Sequence, residues 1–86
     1  MPEVWVTPAM QRVTGWQHLR VPGSTIRQVI ASLESAHPDI GAHLRTGDEI
    51  LPGLAVIVDG MDSGLGMMQS VEEDSEVHFL PSIGGG

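Results

Sequence analysis

Apolar positions change their spacing several times along the chain, and each change predicts a different element. Glu3-Val4-Trp5-Val6-Thr7 alternates around two β-branched residues and meets Pro8, which predicts a first strand ending at a turn. Thr14-Gly15 supplies a further turn signal, and Trp16-Gln17-His18-Leu19-Arg20-Val21 alternates again, so the two runs predict a hairpin. Pro22-Gly23-Ser24 breaks the pattern. Thr25 and Gln28 then have the spacing of a helix-starting capping box, and Ile26, Val29, Ile30, Leu33 and Ala36 fall on one helical stripe. His37-Pro38 should stop that helix, because the residue before a proline is steered out of the α region. Ile40 and Leu44 lie four apart and suggest one further helical turn.

The second half is richer in strand signals. Glu49-Ile50-Leu51 reads as a short strand or an approach to Pro52-Gly53. Leu54-Ala55-Val56-Ile57-Val58 is a near-continuous apolar run, as expected of a strand buried on both faces or central in a sheet. Asp59-Gly60 follows as a hairpin turn. Residues 61–70, with Gly64 and Gly66, read as a short irregular edge strand and loop, and residues 71–75 as an acidic turn. In Glu76-Val77-His78-Phe79-Leu80 the two-residue period puts Val77 and Phe79 on one face and His78 and Leu80 on the other. This pattern supports an α+β domain with a hairpin ahead of its main helix.

Composition narrows the function classes. At 86 residues the chain is one domain, without cysteine for a disulfide or a zinc–thiolate site. Four basic residues, all arginine, face eleven carboxylates for a net charge of −7, which disfavours nucleic acid and favours a basic partner surface. No apolar run is long enough for a membrane span and Met1-Pro2-Glu3 is not a signal-peptide start, so the expectation is a cytoplasmic protein with no membrane partner.

The expectation is also of no enzyme: neither a catalytic site, a bound cofactor nor a metal site is expected within the chain. His18, His37, His43 and His78 have no shared ligand spacing, no nucleophile elbow occurs, and Gly64-x-Gly66 lacks the strand and capped helix of a dinucleotide loop. The carboxylates Glu72, Glu73, Asp74 and Glu76 read as a solvated turn, or as a group steering a basic partner.

What remains is the end of the chain, Pro81-Ser82-Ile83-Gly84-Gly85-Gly86. Glycine offers no side-chain contact and loses the most backbone freedom on ordering, so residues 84–86 are expected to be a flexible tail on a domain of residues 1–83. Extended, three residues reach about 10 Å, enough to enter a narrow channel with a carboxylate at the tip.

Residues 73–86 resemble the end of the small ubiquitin-like sulfur carriers, a family that includes the small subunit of molybdopterin synthase and the carriers of thiazole and cysteine biosynthesis. Its members end in an acidic turn, a hydrophobic strand, Leu-Pro-Pro-hydrophobic-Ala and Gly-Gly; here Ser82 replaces the second proline and Gly84 the alanine. Met10-Gln11-Arg12-Val13-Thr14-Gly15 is similar to a loop of the same carriers, and Val58-Asp59-Gly60 to their Val-Asn-Gly. The resemblance implies a β-grasp fold, with a mixed sheet of four to five strands on one main helix and the last strand parallel to the first. It implies that a ubiquitin-activating-like adenylyltransferase uses ATP to adenylate the Gly86 carboxylate, that sulfur replaces AMP, and that a biosynthetic synthase accepts the sulfur. Gly86 then carries the sulfur without a processing protease, Gly84 and Gly85 permit insertion, and Phe79, Leu80, Pro81 and Ile83 dock partners, with Trp16, Met67 and Met68 extending the patch or filling the core. The stretch before the acidic turn is somewhat closer to the cysteine-biosynthesis carriers. Two rivals stand beside this: a ubiquitin-like modifier joined to target lysines through Gly86, and a β-grasp binding module with an incidental tail.

Overall fold

Val4 and Val6 flank Trp5 with opposite parity, so the first strand has one face to bury and one to leave open. In the computed structural model, which describes residues 1–62 and 64–82, β1 (Glu3–Trp5) pairs antiparallel with β2 (His18–Arg20) and parallel with β6 (Glu76–Pro81). The far side of β6 pairs antiparallel with β5 (Leu54–Val58), giving the order β2-β1-β6-β5. The first and last strands are therefore the two inner ones, as the resemblance implied. Across all four strands Leu19, Val4, Val77 and Val58 stand in register as one buried row.

Helix α2 (Ile26–Ala36) supplies the other half of the core. Ile26, Val29, Ile30 and Leu33 are buried and cluster with Val4, Leu19, Val77 and Phe79. The Thr25 hydroxyl accepts the amide of Gln28, while the Gln28 side chain turns back to accept from the amide and hydroxyl of Ser24, a capping box displaced by one residue. The helix ends at His37 ahead of Pro38 as predicted. A 3-10 turn (Pro38–Ile40) and the short α3 (Gly41–Leu44) follow, burying Ile40 and Leu44 completely. Beyond them β3 (Arg45–Thr46) and β4 (Glu49–Ile50) form a separate two-stranded ribbon. Two forked guanidinium–carboxylate pairs tie this region to α2: Arg45 to both oxygens of Glu34 and Arg27 to both of Asp48.

Three expectations are corrected. Pro8 starts an element: α1 (Pro8–Thr14) joins β1 to β2, so these strands pair without a tight hairpin turn. Thr7 caps α1 by accepting the Met10 amide at 3.2 Å, Pro8 occupies the first turn where its missing N–H costs nothing, and Gly15 closes the helix at φ 75°. β5 is an edge strand, half-buried from Leu54 to Ile57, because β6 occupies the interior position. Residues 61–70 hold no edge strand among those described: Met61 and Ser70 make single bridges and Gly66–Met68 is a 3-10 turn that buries Met67. Among the described residues no helix is long and apolar enough to cross a membrane.

Candidate functional site

The site is built on β6, whose alternation gives its two sides different tasks. Val77 and Phe79 point into the core, at 0% and 1% exposure. Phe79, expected among the docking residues, is thereby removed from any docking surface; its ring is the core's largest fully buried side chain. His78 and Leu80 point to the uncovered side of the sheet, and Leu80 is 45% exposed. Across the strands His78 stands beside Trp5 and Ile57, and Leu80 beside Ala55.

Trp5 lies at the centre of this open face. Its ring stacks on His18, with centroids 4.3 Å apart, and on His78, at 5.4 Å and parallel within 1°. The Glu3 carboxylate holds His18 Nδ1 at 2.7 Å. Cross-strand aromatic pairs of this kind stiffen a sheet face by about 0.2–1 kcal/mol each. The result is a flat aromatic row ending beside an exposed leucine. Sequence reasoning did not single out Trp5, although the Val4-Trp5-Val6 alternation already places it opposite the core.

At the start of β6 the chain is fastened by a polar knot. Asp59 and Gly60 form a two-residue turn with φ 50° and 83°, closed by two backbone hydrogen bonds between Val58 and Met61. The Asp59 carboxylate accepts the Glu76 amide at 2.9 Å and the buried Ser75 hydroxyl at 2.7 Å. The Glu76 N–H chiefly, with the Ser75 O–H second, holds the Asp59 carboxyl below its ordinary value. In the acidic turn Glu72, Glu73 and Asp74 are all exposed, and Glu73 pairs with the Met1 amino group at 2.8 Å. That contact lowers the Glu73 carboxyl as well.

At the other end, Pro81 pairs with Leu54 and the Ser82 amide donates to Gly53 O at 2.7 Å, so both residues are held to the edge strand and the loop before it. The predicted docking residue Ile83 and the tail residues Gly84, Gly85 and Gly86 lie outside the described residues. The remaining expected patch residues separate. Met67 is core; Met68, 72% exposed, lines a groove with Arg27, Asp48 and Ile50; Trp16 sits edge-on to His37 near the end of α2. None of the three extends the face around Leu80. Among the described residues no three histidine or acidic side chains are grouped to hold a metal ion.

A scan of protein-family models finds no match, and a search of curated proteins finds none. Solved structures do match. A chain of the BexX/CysO complex of Amycolatopsis orientalis superposes with a TM-score of 0.90 at 24% identity, over 100% of both chains. CysO of Mycobacterium tuberculosis, described as an antigen, gives 0.87 at 19% identity over 96% of this chain and 100% of that one. The small archaeal modifier protein 1 of Methanosarcina acetivorans gives 0.81 at 20% identity, over 99% and 95%. These likenesses establish the β-grasp, ubiquitin-like fold.

Proposed function

We propose that this chain is a sulfur carrier: a rigid β-grasp domain that holds Gly86 as the terminal residue whose carboxylate is activated and exchanged for a thiocarboxylate. The observation that supports it most is the combination of an inner, doubly paired β6 with a sequence that runs from that strand through Pro81-Ser82-Ile83 into three glycines.

A carboxylate is a poor electrophile because its charge is shared by both oxygens, so the chemistry requires activation. In this reading an adenylyltransferase joins the Gly86 carboxylate to the α-phosphate of ATP and pyrophosphate leaves. A persulfide sulfur attacks the acyl carbon, AMP leaves, and a thiol cleaves the resulting S–S bond to free the thiocarboxylate. The domain contributes position: docking by the open face around Trp5 and Leu80 raises the local concentration of the tail at the reacting centre. The chain acts as co-substrate, and ATP belongs to its activating enzyme. A biosynthetic synthase then accepts the sulfur.

The test is the intact mass of the chain after incubation with such an enzyme, ATP and a sulfur source: one oxygen replaced by sulfur on a chain ending at Gly86. A chain that continues past residue 86 untrimmed, or one whose C-terminal amide still delivers sulfur, would defeat the reading. Likeness to a small archaeal modifier protein supports a second reading, attachment to target lysines through Gly86. Adducts joined by a Gly-Gly-Lys isopeptide with no thiocarboxylate would favour it.

A further inference from the structure

The four arginines are not equivalent. Arg27 and Arg45 are each gripped by both oxygens of a carboxylate, and Arg20 donates to Met1 O. Arg12, exposed on α1, makes no side-chain hydrogen bond or ion pair among the described residues. Among the described residues Arg12 is thus an arginine with neither a carboxylate nor a carbonyl partner, in a chain of net charge −7.

Its position gives the charge a use. Arg12 lines a groove of about 440 Å³ with Pro8, His43, Leu51, Pro52 and Pro81, most of it apolar. Pro81 is the last residue of β6, so the groove adjoins the end of the strand that precedes the tail sequence. The opposite end of β6 follows the exposed carboxylates Glu72, Glu73 and Asp74. A six-residue strand is about 20 Å long, so the docking strand has an anionic approach at its start and a free cation beside its exit. Charge of opposite sign at the two ends specifies the direction in which a partner meets the strand, and so where the tail points.

We propose that this groove is a docking site for the activating enzyme, taking a segment in which an apolar side chain stands next to an aspartate or glutamate. The apolar group seats against Pro8, Leu51 and Pro81. The carboxylate pairs with the guanidinium fork of Arg12, whose planar geometry suits two parallel hydrogen bonds. The inference rests on the reading of the chain as a carrier with an adenylated tail, and it makes Arg12 a positioning residue, remote from the reacting atoms.

The experiment measures pyrophosphate release against carrier concentration, with an adenylyltransferase that forms the thiocarboxylate on the unaltered chain. Arg12→Glu should raise KM about tenfold while kcat stays within about twofold, and Arg12→Lys should recover part of the loss. Ala9→Phe, a neutral change at an exposed groove position, should raise KM too by filling the apolar seat. Both positions are exposed, and unchanged melting temperatures establish that the variants fold. An unaltered KM in Arg12→Glu overturns the proposal. A lower KM or higher kcat in that variant overturns it in favour of the chain's own terminal carboxylate as occupant. A rise in Arg12→Glu with none in Ala9→Phe overturns the apolar seat. Failure of the underlying carrier reading looks different: the unaltered chain then releases no pyrophosphate and gains no sulfur with any candidate enzyme.

Discussion

The two faces of β6 are one residue apart in sequence and opposite in what they can do. On the covered face Val77 and Phe79 are locked among Val4, Leu19 and the stripe of α2, where every methylene removed leaves a cavity. On the open face His78 and Leu80 continue a row with Trp5, where a change alters the outer surface while the core stays packed. On the proposed function, stability and recognition fall to alternate residues of one strand, and a substitution at either parity should disturb one and spare the other.

The strongest attempt to break that separation is Phe79→Ala. It should cost about 3–5 kcal/mol in urea unfolding. For a domain of this size that is a large part of the total. Leu80→Asp should do the reverse: a rise of about tenfold in KM for tail activation, with stability within about 0.5 kcal/mol of the parent. If Leu80→Asp unfolds the domain, or leaves KM unchanged, the division of labour is wrong. Trp5→Ala tests whether the open face is also structural, since losing both imidazole stacks should lower stability by about 1 kcal/mol, read from the melting temperature.

Smaller still are the polar contacts outside both faces. The Asp59 carboxyl titrates below its unfolded value of 3.8 because the folded chain donates the Glu76 N–H and Ser75 O–H to it. The unfolded chain therefore binds the proton more readily. The contribution is present above about pH 4 and is lost as pH falls through the folded value. Asp59→Asn should lower stability at neutral pH, and its difference from the parent should shrink as pH falls through the folded value, which flattens the acid limb of a stability-versus-pH curve. Arg27→Ala, which removes an exposed pair, should change stability by less than about 1 kcal/mol.

The parts of the fold legible in the sequence are those where one local rule acts without competition. The apolar stripe of α2, its start at Thr25 and its stop before Pro38 follow from helical geometry and from proline sterics. The alternation of β6 and the turn at Asp59-Gly60 are equally local. Helix α1 was hidden by an ambiguity in proline, which ends a strand and also suits the first turn of a helix. Its true bracket was present in the sequence as Thr7 ahead of Pro8 and Gly15 behind Thr14. The position of β5 was not legible, because a continuous apolar run says how hydrophobic a strand is and not which neighbours it has. The docking role of Phe79 failed for a related reason: proximity to the tail suggested it, while parity decided it. The aromatic row also needed the fold, since Trp5, His18 and His78 come from three strands whose register no local pattern specifies.

Because β6 is bonded to β1 over its first half and to β5 along most of its length, any tension applied at the C-terminal end runs parallel to the strand. The ladders on both sides are then loaded together in shear and cannot be peeled apart one bond at a time. An enzyme that grips the last residues and pulls would meet a mechanical anchor, and the domain should keep its shape under a tug that unravels a strand attached on one side only.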